Sequence, residues 1–506
     1  MILAAIYFLI FCWVVYKLPF FKDDHVSFKF IFIIFCFKIA ACFAYYHIYF
    51  SDKLHLLQGD SYDTLMGANI MFKAIHESPL DYLKMIFGIH SDLETDALYR
   101  PYFERINDWS QTKPADNFFL NDNRTSVRFN AFIQLFSFGY YAVHGLVMLM
   151  VSFVGQFAFY KTFKIYFPQK EKLLAIIIFL TPSVLFWTAG ILKEPIALCI
   201  MGFFILSFFK LFVHYQYSVK IISCFIISTL SFLVLKPYIL ILLALPLIIY
   251  AIVKKMNIKQ VALFYAIALL FTLSFSMVVL KYVFNKDVIK TIVVRQNDFI
   301  NLSKGGIFFN NDKQFVRLEC NDTNSFTFID AEKIKSKIKP HTKFMSWKRN
   351  FPNDTIFVND NSDTTIYTFL SSCMPAGSAI PMERLTYSIK SFAKLIPIAF
   401  YHVIAKPFFY DSHSGSEFVA SFENLGYLVF FLFCFYFRQK IKVDKNLLYL
   451  LISTIVLSFL LIGITTTVMG AIVRYKVPFI PFLLMIPLLM LDVERIKKMP
   501  FIRTLV

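Results

Sequence analysis

The chain reads as an all-α polytopic membrane protein of about eleven transmembrane helices, with a small extracytoplasmic α+β, β-rich insertion. Three observations predict this class. Of its 506 residues, 58% are hydrophobic and 19% aromatic, a balance too apolar for a soluble domain. The apolar residues gather in runs of about 17–25, the length at which a helix crosses a hydrocarbon core of roughly 30 Å. Lysine and arginine recur in alternate connections between those runs, as they do where one set of loops faces the cytoplasm.

In order, the runs are 2–16, 28–50, 139–160, 172–188, 195–213, 219–235, 237–253, 260–283, 416–437, 446–464 and 475–491. The first begins at Met1 with no basic lead and no small-residue cleavage site, so it reads as a retained span rather than a signal peptide. The sixth and seventh meet at Lys236-Pro237, where the proline either separates two helices or kinks one. Basic connections carry Lys17/Lys22/Lys29, Lys161/Lys164/Lys170/Lys172, Lys210/Lys220, Lys254/Lys255/Lys259, Arg438/Lys440/Lys442/Lys445 and Arg495/Lys497/Lys498. They share one side only if the N-terminus is outside and the C-terminus cytoplasmic. That orientation accounts for much of the net charge of +18, so no nucleic-acid partner is called for. Heavy use of Phe, Ile, Lys and Asn suggests an AT-rich bacterial genome, and hence the bacterial inner (cytoplasmic) membrane.

The chain divides accordingly into 1–50, with two spans; 51–138, a first outer loop; 139–283, a six-helix membrane core; 284–415, an outer β-containing segment; and 416–506, three spans and a short tail. In the first loop, Leu65, Ile70, Phe72 and Ile75, then Tyr82, Met85 and Ile86, have helical spacing and suit short helices lying on the membrane. In the second, Gly306–Phe309, Gln314–Leu318, Ser325–Ile329, Thr355–Val358 and Thr365–Leu370 read as strands, the last two as a hairpin with a polar loop. An outer location permits a disulfide between Cys320 and Cys373, and nothing in their spacing demands it. There is no CxxC, HExxH or clustered histidine pattern, so no structural metal site is expected.

The chemistry gathers at the outer ends of the spans. Gly59-Asp60-Ser61-Tyr62-Asp63 follows the second span closely and sets two carboxylates where the head of a membrane-borne substrate would lie. On a helix this spacing puts both on one face; the plain alternative is that they solvate a helix N-terminus. Lys193-Glu194-Pro195 forms the outer turn between the fourth and fifth spans, as a mutual ion pair capping the next helix or as part of the same rim. Lys236 occupies the next outer turn, as a snorkelling lysine or a phosphate ligand. Arg474, Tyr475 and Lys476 lead the last span. An anionic lipid head needs cations, which Lys193, Lys236, Arg474 and Lys476 can supply. An acceptor hydroxyl or amine needs a carboxylate to take its proton, which Asp60 or Asp63 can do. Transfer of a sugar from a polyprenyl phosphate needs both.

An aspartate opening the first large outer loop, surface helices behind it, and Arg474-Tyr475-x-x-Pro478-x-x-Pro481 resemble the GT-C superfamily of integral-membrane, lipid-phosphosugar-dependent glycosyltransferases. Pro182-Ser183-x-x-Phe186-Trp187-x-x-Gly190-x-x-Lys193-Glu194, Lys406-Pro407-Phe408-Phe409 and Glu423-Asn424-Leu425 look like motifs of bacterial multispanning surface-polysaccharide proteins. The resemblance covers most of the membrane part and not 284–385. It implies Asp60 as catalytic base with Asp63 as its substitute and Arg474 at the donor phosphate; beside these, the rim residues offer Tyr475 as a further phosphate contact and Glu194 to orient Lys193 or the acceptor. It implies a polyprenyl-phosphate-linked sugar as donor and a glycan, lipid or protein as acceptor, with no certain cofactor and the question of a divalent cation such as Mg or Mn joining the aspartates left open by their spacing. Here the aspartate follows the second span rather than the first, and the family's adjacent acidic pair appears as Asp60-x-x-Asp63. Polymerases of the O-antigen type fit nearly as well. A lipid-linked sugar transporter or flippase fits less well, because the chain shows no internal repeat.

Overall fold

The computed structural model describes residues 2–50, 60–88, 122–282, 287–310, 315–329, 335–340, 342–347, 355–358, 365–373, 375–412, 415–439 and 443–497. Gly59, the polar loop 359–364 and the Cys373 side chain lie outside the described residues. The chain falls into two compact units, one of Met1–Ala268, Gly426–Ile455 and Val477–Val506, the other of Leu269–Leu425 and Val456–Lys476.

The helices in chain order begin with α1 (Ile2–Lys17), α2 (Phe28–Tyr49), α3 (Asp60–Glu77), α4 (Pro79–Phe87), α5 (Asp122–Ser137) and α6 (Tyr141–Phe163). Next come α7 (Glu171–Phe179), α8 (Pro182–Trp187), α9 (Lys193–Phe208), α10 (Val219–Leu235), α11 (Pro237–Met256) and α12 (Val261–Tyr282). The remainder are α13 (Val288–Ser303), α14 (Ile389–Ala405), α15 (Gly415–Tyr436), α16 (Lys445–Thr465), α17 (Met469–Tyr475), α18 (Ile480–Met490) and α19 (Val493–Lys497). Among the described residues, seven helices are long and apolar enough to cross a membrane: α2, α6, α9, α11, α12, α15 and α16, with α9 continued to Val213 by a π turn. The pair α17 and α18, bent by 62°, makes eight if it is one span. The chain is therefore a multi-pass helical membrane protein.

Two expectations are corrected. The run 172–188 is not one helix: α7 stops at Phe179 and α8 starts at Pro182, because Pro182 has no N–H to offer the carbonyl of Ile178. In the run 475–491 the helix α18 covers Ile480–Met490, with the bend before it between Tyr475 and Ile480, and α1 and α10 are shorter apolar helices of 16 and 17 residues. Lys236 separates α10 from α11 with an extended φ of −148°, so Lys236-Pro237 divides two helices.

In the first unit, α3, α4 and α5 bury Ala68, Met71, Ala74, Tyr82, Met85, Val127 and Ala131 against one another. Leu80, Leu83 and Phe87 remain exposed along one stripe of α4, the pattern of a helix seated in a bilayer interface. The closest helix packing joins α6 to α9. A Cβ added to Gly202 would lie 1.8 Å from the Gly155 carbonyl oxygen, and one on Gly155 would lie 2.2 Å from Cys199 Cα. Only glycine lets two backbones meet this way in a membrane.

The loop between α1 and α2 is fastened by Asp23, whose carboxylate accepts from Lys164 Nζ at 2.6 Å and from the backbone amides of His25 and Val26. Burial alone would raise the Asp23 carboxyl, but Lys164 and the two amides outweigh it and hold it below its ordinary value.

In the second unit, a seven-stranded antiparallel sheet runs in the order β3-β4-β7-β1-β2-β5-β6. Its strands are β1 (Gly306–Asn310), β2 (Phe315–Leu318), β3 (Phe326–Phe328), β4 (Lys335–Ile338), β5 (Lys343–Trp347), β6 (Thr355–Val358) and β7 (Tyr367–Cys373). Its core is Ile307, Phe309, Val316, Leu318, Ile338, Phe344 and Tyr367. The expected hairpin of 355–358 with 365–370 is corrected: β6 pairs with β5 at the edge, while β7 lies between β4 and β1. β4, with two lysines and one apolar residue, and β5, whose Phe344, Met345 and Trp347 do not alternate with polar residues, lack a strand pattern, yet they supply the missing partners.

Gly202→Leu should unfold or misassemble the protein, at a cost at or above the ~1–3 kcal/mol of ordinary overpacking, because backbone atoms cannot move aside. Thermal unfolding in detergent should show this loss, whereas Gly377→Leu, with nothing within 4 Å of its Cβ position, should match wild type. The lowered Asp23 carboxyl contributes stability that is complete above the ordinary aspartate value of 3.8 and is lost as pH falls through the folded value. The acid limb of a stability–pH curve should therefore flatten in Asp23→Asn; an unchanged limb would contradict the assignment.

Candidate functional site

The site in the first unit is built around a break in a helix. When α7 stops, the Ile178 carbonyl loses its helical donor, and in hydrocarbon such a group needs a substitute. Gln156 of α6 provides it, donating Nε2–H to Ile178 O at 2.7 Å. Beyond the short α8, the Thr188 carbonyl accepts from Ser152 Oγ at 3.0 Å. Lys38 ties the two repairs together, donating from Nζ to Gln156 Oε1 at 2.7 Å and to Thr188 Oγ1 at 2.9 Å. Lys38 stands at the middle of α2 and is 0% exposed. A charge at that depth costs about 2.5–3.5 kcal/mol on insertion scales, so the residue is a costly choice for simple packing. Sequence reasoning missed it. The signal was a lone lysine at the centre of an otherwise apolar run.

The same break shapes the turn above it. Gly190 packs on the Tyr45 ring, whose atoms would lie 2.5 Å from an added Cβ. The Tyr45 hydroxyl hydrogen-bonds Ser61 Oγ at 2.8 Å, and Tyr45, Leu65, Tyr141, Ile191 and Leu192 form one buried cluster. The first turn of α3 is thus anchored at the rim of the bundle beside the turn that leads into α9. Asp60 and Asp63 both lie in that first turn, Asp60 exposed and Asp63 half-buried. Their i, i+3 spacing places them on one face, where they also complement the positive end of α3.

Lys193 and Glu194 open α9 rather than ending a loop. Lys193 is half-buried. Glu194 is 1% exposed and accepts from Lys236 Nζ at 3.1 Å, with Lys236 5% exposed. This pair ties the start of α9 to the hinge between α10 and α11. Two of the sequence-predicted site residues therefore meet each other, and Lys236 reaches the rim as the partner of a carboxylate. An apolar cavity of 270 Å³ among Leu18, Phe20, Met150, Val154 and Phe203 adjoins the α1–α2 loop and contains none of these polar residues.

Arg474, Tyr475 and Lys476 belong to the second unit. Arg474 and Tyr475 are half-buried, and the Tyr475 ring meets Phe299 edge-on at 6.3 Å. Lys476 is 3% exposed and donates to Asn424 Oδ1 at 3.0 Å. Asn424 in turn donates from Nδ2 to the Lys406 carbonyl at 2.8 Å. Three motifs far apart in sequence, around Lys406, Asn424 and Lys476, are here joined by two hydrogen bonds.

No family model, curated protein or solved structure matches this chain. Among the described residues no group of three His, Cys, Asp or Glu comes together to hold a metal. A divalent cation at Asp60 and Asp63 would take its other ligands from substrate and water.

Glu194→Leu or Lys236→Met alone should cost about 3–5 kcal/mol, because each removes one side of a buried ion pair. The double variant should recover most of that loss when unfolding is followed in detergent. Simple addition of the two single losses would show that the pair is uncoupled.

Proposed function

We propose that the chain is a membrane glycosyltransferase that moves a sugar from a polyprenyl-phosphate donor to a surface glycan, lipid or protein acceptor on the extracytoplasmic face of a bacterial inner membrane. The observation that carries this reading is Asp60: an exposed carboxylate on the first turn of α3, anchored through Ser61 and Tyr45 beside the turn bearing Lys193 and Glu194. In the proposed mechanism Asp60 takes the acceptor proton as the acceptor oxygen or nitrogen attacks the anomeric carbon. The bond to the donor phosphate breaks with inversion, and the phosphate leaves on its lipid. Asp63 orients the acceptor or substitutes as base. Lys193 contacts the leaving phosphate, while the Glu194–Lys236 pair fixes the turn that presents it. Within the second unit, Arg474, Tyr475 and Lys476 are the residues suited by charge and hydrogen bonding to bind phosphate. Polymerisation of lipid-linked repeats uses the same groups and differs only in donor size.

Transport of a lipid-linked sugar is a second reading, favoured by Lys38 and the broken α7–α8 segment, since discontinuous helices with mid-membrane charge characterise transporters. The reading is tested on Asp60→Asn and Asp63→Asn separately, in the native host at matched membrane expression, with surface glycans scored by mass spectrometry. Asp60→Asn should lose one sugar or one chain extension through a rate loss of about 10²–10⁴, with Asp63→Asn affected less. Collapse to a single repeat unit of intact composition would identify a polymerase. Unchanged glycans in both variants would sink catalysis by these carboxylates and favour transport.

A further inference from the structure

The Lys476 ammonium has three N–H groups and is 3% exposed. Among the described residues its hydrogen-bond partner is one neutral oxygen, Asn424 Oδ1. That oxygen is held toward it, because the Asn424 amide nitrogen is engaged by the Lys406 and Pro407 carbonyls at 2.8 and 3.4 Å. Glu423 is the carboxylate whose charge acts on Lys476. One helical turn before Lys406, His402 is 6% exposed and its Nδ1 has no hydrogen-bond partner among the described residues; the Lys406 charge acts on its ring. Buried donors are ordinarily satisfied, and leaving one unmade costs about 1–3 kcal/mol. Here two N–H groups of Lys476 are in that position, and His402 Nδ1 is likewise unmatched one helical turn before Lys406, whose carbonyl holds Asn424.

We propose that the second unit holds a binding site for a phosphate or phosphodiester oxyanion, with Lys476 and His402 as its donors and Asn424 as a positioning residue. A tetrahedral phosphate offers an oxygen to Lys476 and to His402, and its charge offsets that of the buried Lys476 ammonium. Asn424 does not touch the ligand; it fixes the direction of Lys476. This deepens the transferase reading and rests on it only for what the phosphate is attached to.

The test uses the full chain in detergent micelles, with binding of farnesyl phosphate, pyrophosphate and farnesol followed by calorimetry. Farnesyl phosphate should bind wild type and Lys476→Arg. It should bind Lys476→Met about tenfold more weakly, as expected for loss of a charge-assisted hydrogen bond. His402→Phe, which keeps the ring volume, should weaken it several-fold, so the conclusion does not hang on Lys476→Met folding. Farnesol should bind weakly and alike in all variants. Binding of pyrophosphate would show that the phosphate suffices, and binding of farnesyl phosphate alone would show that a lipid headgroup is required; both support the site. Equal binding of farnesol and farnesyl phosphate, or unchanged affinity in folded Lys476→Met and His402→Phe, would overturn it. Binding is read without turnover and Asp60→Asn should retain it. Unchanged glycans in Asp60→Asn with Lys476-dependent binding would end the transferase reading alone, and the converse would end the phosphate site alone.

Discussion

The hydrogen bonds of Lys38 are the constraint on which the first unit depends. A chain in hydrocarbon can leave the helical path only where something else satisfies its peptide groups. Gln156 and Ser152 do that for the Ile178 and Thr188 carbonyls, and Lys38 orients Gln156 and Thr188 at once. Pro182 makes the break, and this cluster satisfies the peptide groups that the short helix α8 and the turn after it leave open. The turn in turn sets Gly190 against Tyr45, and Tyr45 meets the first turn of α3. An amine at mid-membrane thus governs the placement of carboxylates at the rim.

The rim itself is organised by opposite charges in contact. Glu194 and Lys236 come from helices whose N-terminal ends both lie there. Pairing lets each remain buried, which neither could do alone. The exposed position of Asp60 contrasts with this pair. Asp60 lies on the first turn of α3, next to Ser61, whose hydroxyl hydrogen-bonds Tyr45.

Much of this was legible in the residues. Long apolar runs marked seven of the spans because their signal is additive over twenty positions. The helical spacing of Leu65, Ile70 and Phe72 was readable for the same reason, and α3 follows it. The break at Pro182 was carried by one proline inside a run apolar enough to look continuous. The sheet order was not legible, since strand pairing is set by long-range contacts and β4 and β5 have little apolar alternation. The partner of Glu194 was hidden as well. Its sequence neighbour is Lys193, but Lys236 meets it from 42 residues away, a contact that only helix packing creates.

The crossing of α6 and α9 at Gly155 and Gly202 has a mechanical consequence. With backbone against backbone and no side chain between, the two helices lack the soft layer that lets neighbours slide. They form a single stiff beam, which carries Gln156 and Ser152 on one member and Glu194 on the other. The backbone of this unit leaves the helical path elsewhere, between Phe179 and Pro182, after Trp187, and at Lys236 between α10 and α11. The Glu194–Lys236 bond ties the last of these joints to the beam, so a turn of the chain at Lys236 would strain it.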